Sequence, residues 1–193
     1  QVHAFSPLEL HHGASTLNLP LAEYFQQLRD AGLSTLPGTA AEILHDDVRQ
    51  QICPDTLSAD QWLHVVHEAH LQGLKSTSTI MFGHVDHPQH WASHLLKLRS
   101  LQQETGGITE FVPLPYVHME APMWRQGKSR SGPTLREAVL MHAVGRLALY
   151  PHITNIQTSW VKMSPEGAAL CLQAGANDLG GTLINESITR AAG

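Results

Sequence analysis

The chain contains very little cysteine, and this scarcity excludes several classes of protein. Cys53 and Cys171 are the two cysteines among 193 residues, which is too few for the disulfide framework of a small secreted domain. They form no Cys-x-x-Cys pair, so the sequence indicates neither a zinc ribbon nor a thioredoxin-like redox site. We therefore expect a protein of the reducing cytoplasm.

Positive charge and long apolar segments are also scarce. Twelve Lys and Arg stand against 17 Asp and Glu, which gives a formal net charge of −5. A chain of this charge offers no basic surface for nucleic acid or for an anionic membrane. No apolar run reaches the roughly 18 residues that a membrane-spanning helix needs. The sequence therefore predicts no nucleic-acid partner and no membrane partner.

Common cofactor and metal motifs are missing. The chain has no P-loop, no Gly-x-Gly-x-x-Gly and no His-Glu-x-x-His. It does have 14 histidines, of which His84, His87, His90 and His94 lie close together. No nearby cysteine or carboxylate completes a zinc ligand set with them. We interpret these four as surface histidines on a helix and predict no metal ligand in this chain.

Strand-like and helical stretches alternate along most of the sequence. Hydrophobic residues make up 42% and charged residues 15%, as in chains that fold around a core. Strand-like segments begin near residues 33, 75, 108, 154 and 176. Repeated βα units of this kind predict an α/β fold with a parallel sheet, and specifically a β/α barrel with its active site at the carboxyl ends of the strands.

The length qualifies this prediction. A complete eight-stranded barrel needs about 250 residues, whereas this chain has 193 and opens at Gln1 within a probable strand. We therefore expect a single domain, residues 1–193, that is part of a longer protein.

Several element boundaries carry recognisable signals. Ser58 with Gln61, and Thr134 with Glu137, have the spacing of capping boxes that begin helices. Ser164-Pro165 has the pattern of an N-cap followed by proline at the first helical position. The ranges 155–162 and 176–183 are predicted to be strands.

Polar residues follow or interrupt the strands and are the candidates for chemistry. Gly83 would let a ligand approach the backbone, or the segment 83–86 is a plain turn in which Asp86 caps the next helix. Glu110 lies inside an apolar strand, where it forms either a structural ion pair or a catalytic group. His118 and Glu120 follow that strand and could transfer protons or bind substrate.

The last third of the chain adds two further candidate sites. Asn155, Gln157 and Ser159 alternate on one face of a strand, either as a ligand-binding row or as a satisfied polar network. The stretch from Asn177 to Gly181 could expose backbone N–H groups to an anion. Residues 116–132, which follow the strand that contains Glu110, form a long loop of the kind that often serves as a lid.

Taken together, these motifs resemble one family. The stretches are HAFSP, TLPGTAAEIL, TIMFGHV, TEFVPLP, VHMEAP, NIQTSWVKM and NDLGGT, and they extend over essentially the whole chain. They are similar to the second subunit of FO synthase, whose domain also forms the C-terminal half of the fused bacterial enzyme. Radical enzymes of the futalosine route to menaquinone share the first two stretches, but TEFVPLP, VHMEAP and NDLGGT favour the deazaflavin enzyme.

The resemblance implies a radical S-adenosylmethionine barrel. In that family a four-iron four-sulfur cluster cleaves S-adenosylmethionine, and the resulting radical attacks L-tyrosine. The hydroxybenzyl group is then added to 5-amino-6-(D-ribitylamino)uracil, and a partner, FO synthase subunit 1 or a fused N-terminal domain, closes the deazaflavin ring.

One departure from the family pattern limits what this chain can do. The family holds its cluster with a Cys-x-x-x-Cys-x-x-Cys loop, which this sequence lacks. We therefore expect a partial barrel with about strands three to eight, cluster ligands upstream of residue 1, and no activity of the chain alone. A non-catalytic barrel remnant and an ordinary phosphate-binding barrel enzyme remain as alternatives.

Within this frame the resemblance implies three groups of site residues. The expected catalytic residues are Glu110, His118 and Glu120. The expected cofactor-binding residues are Thr39, Glu42, Gly83, His84 and Val85. The expected substrate-binding residues are Gln157, Ser159, Asn177 and Asp178.

Overall fold

The computed structural model describes residues 2–181, which form alternating strands and helices. The strands are β1 (Val2–His3), β2 (Leu33–Leu36), β3 (Lys75–Phe82), β4 (Ile108–Pro115), β5 (Gln157–Thr158) and β6 (Asp178–Leu179). The helices are α1 (Pro7–Thr16), α2 (Leu21–Asp30), α3 (Asp46–Ile52), α4 (Ala59–Leu71), α5 (Pro88–Thr105), α6 (Pro122–Arg125), α7 (Leu135–Leu149) and α8 (Trp160–Ala174).

All strand pairs are parallel and follow the order of the chain. Strands β1 to β4 form one sheet, and β5 pairs with β6 in a second. A single parallel bridge between Phe111 and Ile156 joins β4 to the segment just before β5. Six parallel strands in chain order, with helices between them, confirm the predicted α/β class. In such a sheet all carboxyl ends lie on the same edge, where the site is expected.

The hydrophobic core lies between the sheet and the helices. Phe82 and Phe111 on the strands and Trp62 and Phe25 on the helices are among the largest fully buried side chains. Along β3 the alternate residues Ser78 and Ile80 belong to this buried face. Because side chains of a strand point alternately to its two faces, the opposite face is left for polar residues.

Local signals in the sequence fix the starts of three helices. Ser58 with Gln61 and Thr134 with Glu137 form reciprocal capping boxes, as predicted, and Ser6 with Glu9 forms a third. These boxes satisfy the first free N–H groups of α1, α4 and α7. They also fix the point at which each chain segment leaves the edge of the sheet.

The region of β5 and α8 differs from the prediction. The strand expected over 155–162 is limited to Gln157–Thr158, since helix α8 already begins at Trp160. Ser164 has φ 61° and interrupts this helix, and its hydroxyl accepts a hydrogen bond from the Gly167 N–H at 3.4 Å. Ser164-Pro165 therefore does start a helical segment, but an extra turn precedes it.

The last predicted strand is shorter than expected as well. It covers Asp178–Leu179, and positions 182 and 183 of the expected range lie outside the described residues. Among residues 2–181, no helix is both long enough and apolar enough to cross a membrane.

Candidate active site

One polar side chain from each of the six strands contributes to a shared face of the sheet. We call these six residues the polar layer: His3, Thr35, Thr77, Glu110, Gln157 and Asp178. His3 Nδ1 lies 2.8 Å from Thr35 Oγ1, and Gln157 donates a hydrogen bond to Glu110 Oε2 at 3.0 Å. Asp178 is the register partner of Gln157 on the neighbouring strand. The layer therefore runs from β1 to β6.

A cavity opens over one half of this layer. Its volume is about 390 Å³, within the range of small-molecule sites. Four adjacent strands supply its lining, which consists of His3, Thr35, Thr77, Thr109 and Glu110. Every lining side chain can form hydrogen bonds, so the cavity suits a polar ligand.

Glu110 is the titratable group at the centre of the layer. Partial burial raises its pKa above the usual range, and the nearby carboxylate of Asp178 raises it further. The hydrogen bond from Gln157 and the proximity of His3 act in the opposite direction. No described residue forms an ion pair with Glu110, which argues against the structural ion-pair interpretation. A carboxyl group that keeps its proton to higher pH can serve in proton transfer.

The turn after β3 is closed by the chain itself. The Asp86 carboxylate accepts hydrogen bonds from the N–H groups of Gly83, at 2.8 Å, and His84, at 2.6 Å, and from the Trp91 indole. Gly83 has φ 98°, and a Cβ atom there would clash with Pro133. The loop before α7, rather than a ligand, thus occupies the space next to the Gly83 backbone. Cofactor contact by Gly83, His84 and Val85 stays a prediction.

The prediction of four surface histidines is wrong for two of them. His84 and His94 are buried. The His84 ring lies 3.0 Å from the Met81 carbonyl and accepts the Val85 N–H at 2.8 Å. His94 accepts the Leu44 N–H at 3.0 Å, and burial lowers the pKa of His94 to about 3. Backbone partners replace the water that a surface histidine would bind, and burial lowers the pKa of His84 as well, although Asp86 opposes this shift.

The loop after β2 holds Thr39 and Glu42. Glu42 has φ 46°, and its carbonyl accepts the Met81 N–H at 2.9 Å. Burial raises the pKa of the Glu42 carboxyl, although Arg49 opposes this shift. Thr39 is exposed, and its carbonyl accepts a hydrogen bond from the Trp62 indole at 3.1 Å. Both side chains are therefore placed at the edge of the sheet where ligands bind in β/α barrels.

Arg49 of α3 supports that loop and could not be singled out from the sequence. Its buried guanidinium donates hydrogen bonds to the carbonyls of Ala41, Ala40 and Leu57, the last at 2.7 Å. Its position beside Asp46 and Asp47 in a short helix gave no signal, because such a charge run is typical of an exposed face.

The long loop between β4 and α7 holds His118 and Glu120 away from the polar layer. The His118 ring packs edge-on against Trp124 at 4.8 Å between ring centroids. Glu120 is exposed and forms an ion pair with Arg125. The loop is anchored where the Arg130 N–H donates to the His84 carbonyl at 3.1 Å. The catalytic roles expected for His118 and Glu120 stay predictions.

The substrate-binding candidates divide into two groups. Gln157 and Asp178 lie in the polar layer. Asn177 instead links β6 to β5 and α7, because its Oδ1 accepts the Ile156 N–H at 2.8 Å and Arg146 at 2.9 Å. The Ser159 carbonyl accepts hydrogen bonds from the N–H groups of Lys162 and Met163 in α8, and its side chain forms no cap hydrogen bond.

The glycine pair after β6 is poorly arranged for an anion. The Gly180 N–H donates to the Thr158 carbonyl at 2.9 Å, and the Gly180 carbonyl accepts from the Trp160 indole at 3.0 Å. Since these backbone groups are already satisfied, the structure does not favour the phosphate-binding alternative.

The described residues do not fit a four-iron four-sulfur cluster. Among residues 2–181, no group of three or more His, Cys, Asp or Glu is arranged to hold a metal ion. Cys171 is buried, and burial raises the pKa of its thiol, which disfavours the thiolate that a cluster needs. Cys53 is a free thiol at the end of α3.

Comparison with known proteins gives consistent results. A family model described as the CofH/MqnC C-terminal region matches residues 105–193. FO synthase of Streptomyces coelicolor is 52% identical over 192 residues, which is 100% of this chain and 22% of that protein. FO synthase of Mycobacterium tuberculosis is 50% identical over the same length and share.

A shorter relative matches equally well. The 5-amino-6-(D-ribitylamino)uracil–L-tyrosine 4-hydroxyphenyl transferase of Methanopyrus kandleri is 48% identical over 192 residues, or 52% of that protein. The chain thus spans about half of this relative and less than a quarter of the FO synthases. The solved structure of methylornithine synthase has a TM-score of 0.65 over 94% of this chain and 53% of that chain, at 16% identity. This likeness confirms the predicted fold class, a partial β/α barrel.

Proposed function

We propose that the protein carrying this chain belongs to the family of FO synthases and 5-amino-6-(D-ribitylamino)uracil–L-tyrosine 4-hydroxyphenyl transferases, which the chain resembles, and that it is a radical S-adenosylmethionine transferase. In the proposed reaction the hydroxybenzyl group of L-tyrosine is joined to 5-amino-6-(D-ribitylamino)uracil. The observation that carries the proposal is the identity of 48–52% along the whole chain to proteins named for this product and this reaction. The same names disfavour the futalosine-route alternative.

The proposed cofactors are S-adenosylmethionine and a four-iron four-sulfur cluster. The described residues offer no ligand set for the cluster, so the roles proposed below belong to this chain's own side chains. Thr39 and Glu42 would contact S-adenosylmethionine from the loop after β2, with Arg49 holding that loop in place. Gly83, His84 and Val85 would contribute from the turn after β3.

The polar layer supports the chemistry proposed for the substrates. Glu110, with its raised pKa, would accept or return a proton when the tyrosine-derived group joins the pyrimidine. Gln157 orients the Glu110 carboxyl through its hydrogen bond, and Asp178 keeps the pKa of Glu110 high. His118 and Glu120 are proposed as further catalytic residues, and Ser159 and Asn177 as substrate contacts.

The remaining elements of the proposal concern the whole protein. We infer that this domain is the C-terminal portion of the barrel and that its product passes to FO synthase subunit 1 or to a fused N-terminal domain. We also infer a cytoplasmic location, which suits the free thiols of Cys53 and Cys171.

The test is an assay of the full-length protein that contains this sequence. After anaerobic iron–sulfur reconstitution, it is incubated with S-adenosylmethionine, ring-labelled L-tyrosine and 5-amino-6-(D-ribitylamino)uracil. The proposal expects deoxyadenosine and a labelled hydroxybenzyl adduct of the uracil, both identified by mass spectrometry. Deoxyadenosine without the adduct would contradict the substrate assignment. Failure to bind a cluster would favour the non-catalytic barrel remnant.

A further inference from the structure

Every side chain that lines the cavity over the polar layer carries a hydrogen-bonding group. The lining consists of one imidazole, three threonine side chains and one carboxyl group, from His3, Thr35, Thr77, Thr109 and Glu110. No Phe, Tyr, Trp, Leu, Ile, Val or Met side chain, the kind that usually packs against the phenol ring of tyrosine, is among them. The cavity therefore suits a ligand portion that is rich in hydrogen-bonding groups.

The unused hydrogen-bonding capacity of these side chains narrows the ligand further. Thr77 Oγ1 accepts the Gly38 N–H at 2.7 Å, so its own O–H can still donate. Thr109 Oγ1 donates to the Ser76 carbonyl at 3.1 Å, so its lone pairs can still accept. Glu110 uses Oε2 for Gln157, and its Oε1 has no hydrogen-bond partner among the described residues.

One free donor, at Thr77, and free acceptors, at Thr109 and Glu110, thus line the same cavity. Each hydroxyl of a polyol is both a donor and an acceptor, so a chain of hydroxyls can satisfy both kinds of group. The lining side chains are half-buried or exposed, and a ligand that lacks the hydroxyls forms fewer hydrogen bonds with them and binds more weakly.

We propose that this cavity binds an acyclic polyol chain which, if the proposed function is correct, is the ribityl chain of the pyrimidine substrate. The aromatic rings of tyrosine and of the pyrimidine then lie outside the cavity. The carboxylate of Glu110 and the hydroxyls of Thr77 and Thr109 hold the polyol, and this contact fixes the position of the pyrimidine ring relative to the strand ends.

The first test measures binding without turnover. Titration calorimetry on the full-length protein compares 5-amino-6-(D-ribitylamino)uracil with 5-amino-6-(methylamino)uracil, which has the ring but not the hydroxyls. Loss of several hydrogen bonds predicts at least about tenfold weaker binding of the methyl analogue. Equal affinity for the two compounds would overturn the proposal.

The second test uses a matched pair of variants on β3. Thr77 and Thr79 both bind the backbone of Gly38, Thr77 at its N–H and Thr79 at its carbonyl, at 2.6 Å. Thr77 lines the cavity, whereas Thr79 is not among its lining residues. Thr77→Val and Thr79→Val therefore remove comparable support from Gly38, but only the first removes a hydroxyl from the cavity.

The expected difference between the variants is specific to one ligand. Thr77→Val weakens binding of the ribityl compound roughly three- to tenfold, leaves the affinity for the methyl analogue unchanged, and leaves the KM for tyrosine unchanged. Thr79→Val leaves the preference for the ribityl compound intact. Thermal unfolding of both variants checks that they fold. If the two variants lose this preference equally, or if Thr77→Val raises the KM for tyrosine, the proposal is wrong.

The outcomes also separate this inference from the function on which it rests. Preferential binding of the ribityl compound without adduct formation would support the polyol site and contradict the transferase assignment. Adduct formation, with equal affinity for the ribityl compound and the methyl analogue, would support the transferase assignment and contradict the polyol site.

Discussion

At the scale of single residues, Glu110 is a carboxyl group whose charged form is disfavoured. Its folded-state pKa is raised above 4.5. At a pH below the pKa of the unfolded state, the protonated carboxyl group contributes stability to the fold. This contribution is lost as the pH rises through the pKa of the folded state. Glu110→Gln should therefore raise the melting temperature at pH 7 to 8, because the variant has no charge beside Asp178.

The pH dependence of this difference is the check. Thermal unfolding of the apoprotein between pH 4 and pH 8 should show that the advantage of Glu110→Gln shrinks as pH falls toward 4.5. Glu23→Gln, on the exposed surface of α2, is the control for the loss of one negative charge. A Glu110→Gln variant that is less stable than the wild type at pH 8 would show that the ionised carboxylate is stabilised.

Phe5 is a second residue whose conformation allows a prediction. It has φ 64°, which is unfavourable for a bulky side chain, and its ring is 47% exposed. Phe5→Gly should be more stable than Phe5→Ala by about 1 kcal/mol, because glycine adopts this conformation without strain. Urea unfolding measures the difference.

An exposed helical position supplies the control for Phe5. Leu96 is 47% exposed within α5, where glycine should instead be about 1 kcal/mol less stable than alanine. If the alanine variant is more stable than the glycine variant at both positions, the Phe5 backbone is not strained.

At the scale of elements, the turn from β3 to α5 depends on one carboxylate. Burial would raise the pKa of Asp86, but His84 and the donors of Gly83, Trp91 and His84 outweigh burial and hold it below its usual value. Asp86→Ala leaves these buried donors without an acceptor, which should cost about 2–4 kcal/mol of unfolding free energy. Chemical denaturation of variant and wild type at pH 7 measures this loss.

The control and the pH dependence sharpen this prediction. Asp60→Ala, at an exposed position in the first turn of α4, should cost less than about 1 kcal/mol. Because the pKa of Asp86 is lowered, its contribution should be lost as pH falls through its folded-state pKa. A cost for Asp86→Ala no larger than that of Asp60→Ala would show that the turn does not depend on the carboxylate.

Elements whose signal is local could be predicted from the sequence, and elements that depend on distant contacts could not. The capping boxes at Ser58 and Thr134 need only residues within one helical turn, and both form as predicted. The early start of α8 at Trp160 is supported by the hydrogen bond of its indole to Gly180, 20 residues away. The role of Arg49 likewise depends on carbonyls of a loop that no local pattern connects to it.

At the scale of the whole molecule, the polar layer assembles from positions spread over nearly the entire described chain. Glu110, Gln157 and Asp178 could be singled out because each is polar at or near an apolar strand. His3, Thr35 and Thr77 were missed as site residues, since threonine is common in strands and gives no functional signal. Only the parallel register brings all six residues to one face.

The same register, together with the packing around it, decides where the motif residues lie. His118 and Asn177 belong to characteristic motifs, yet one packs against Trp124 and the other links β6 to β5 and α7. Motifs therefore identify the family, while packing decides which of their side chains face the cavity.

The most direct test of the proposed function is an exchange within a relative. In Streptomyces coelicolor FO synthase, the region that aligns with this chain is replaced by this sequence, and the reconstituted chimera is assayed for the hydroxybenzyl adduct of 5-amino-6-(D-ribitylamino)uracil. We predict that the adduct forms and that Glu110→Gln in the chimera lowers its rate at least about tenfold. A chimera that cleaves S-adenosylmethionine but forms no adduct would contradict the proposed function.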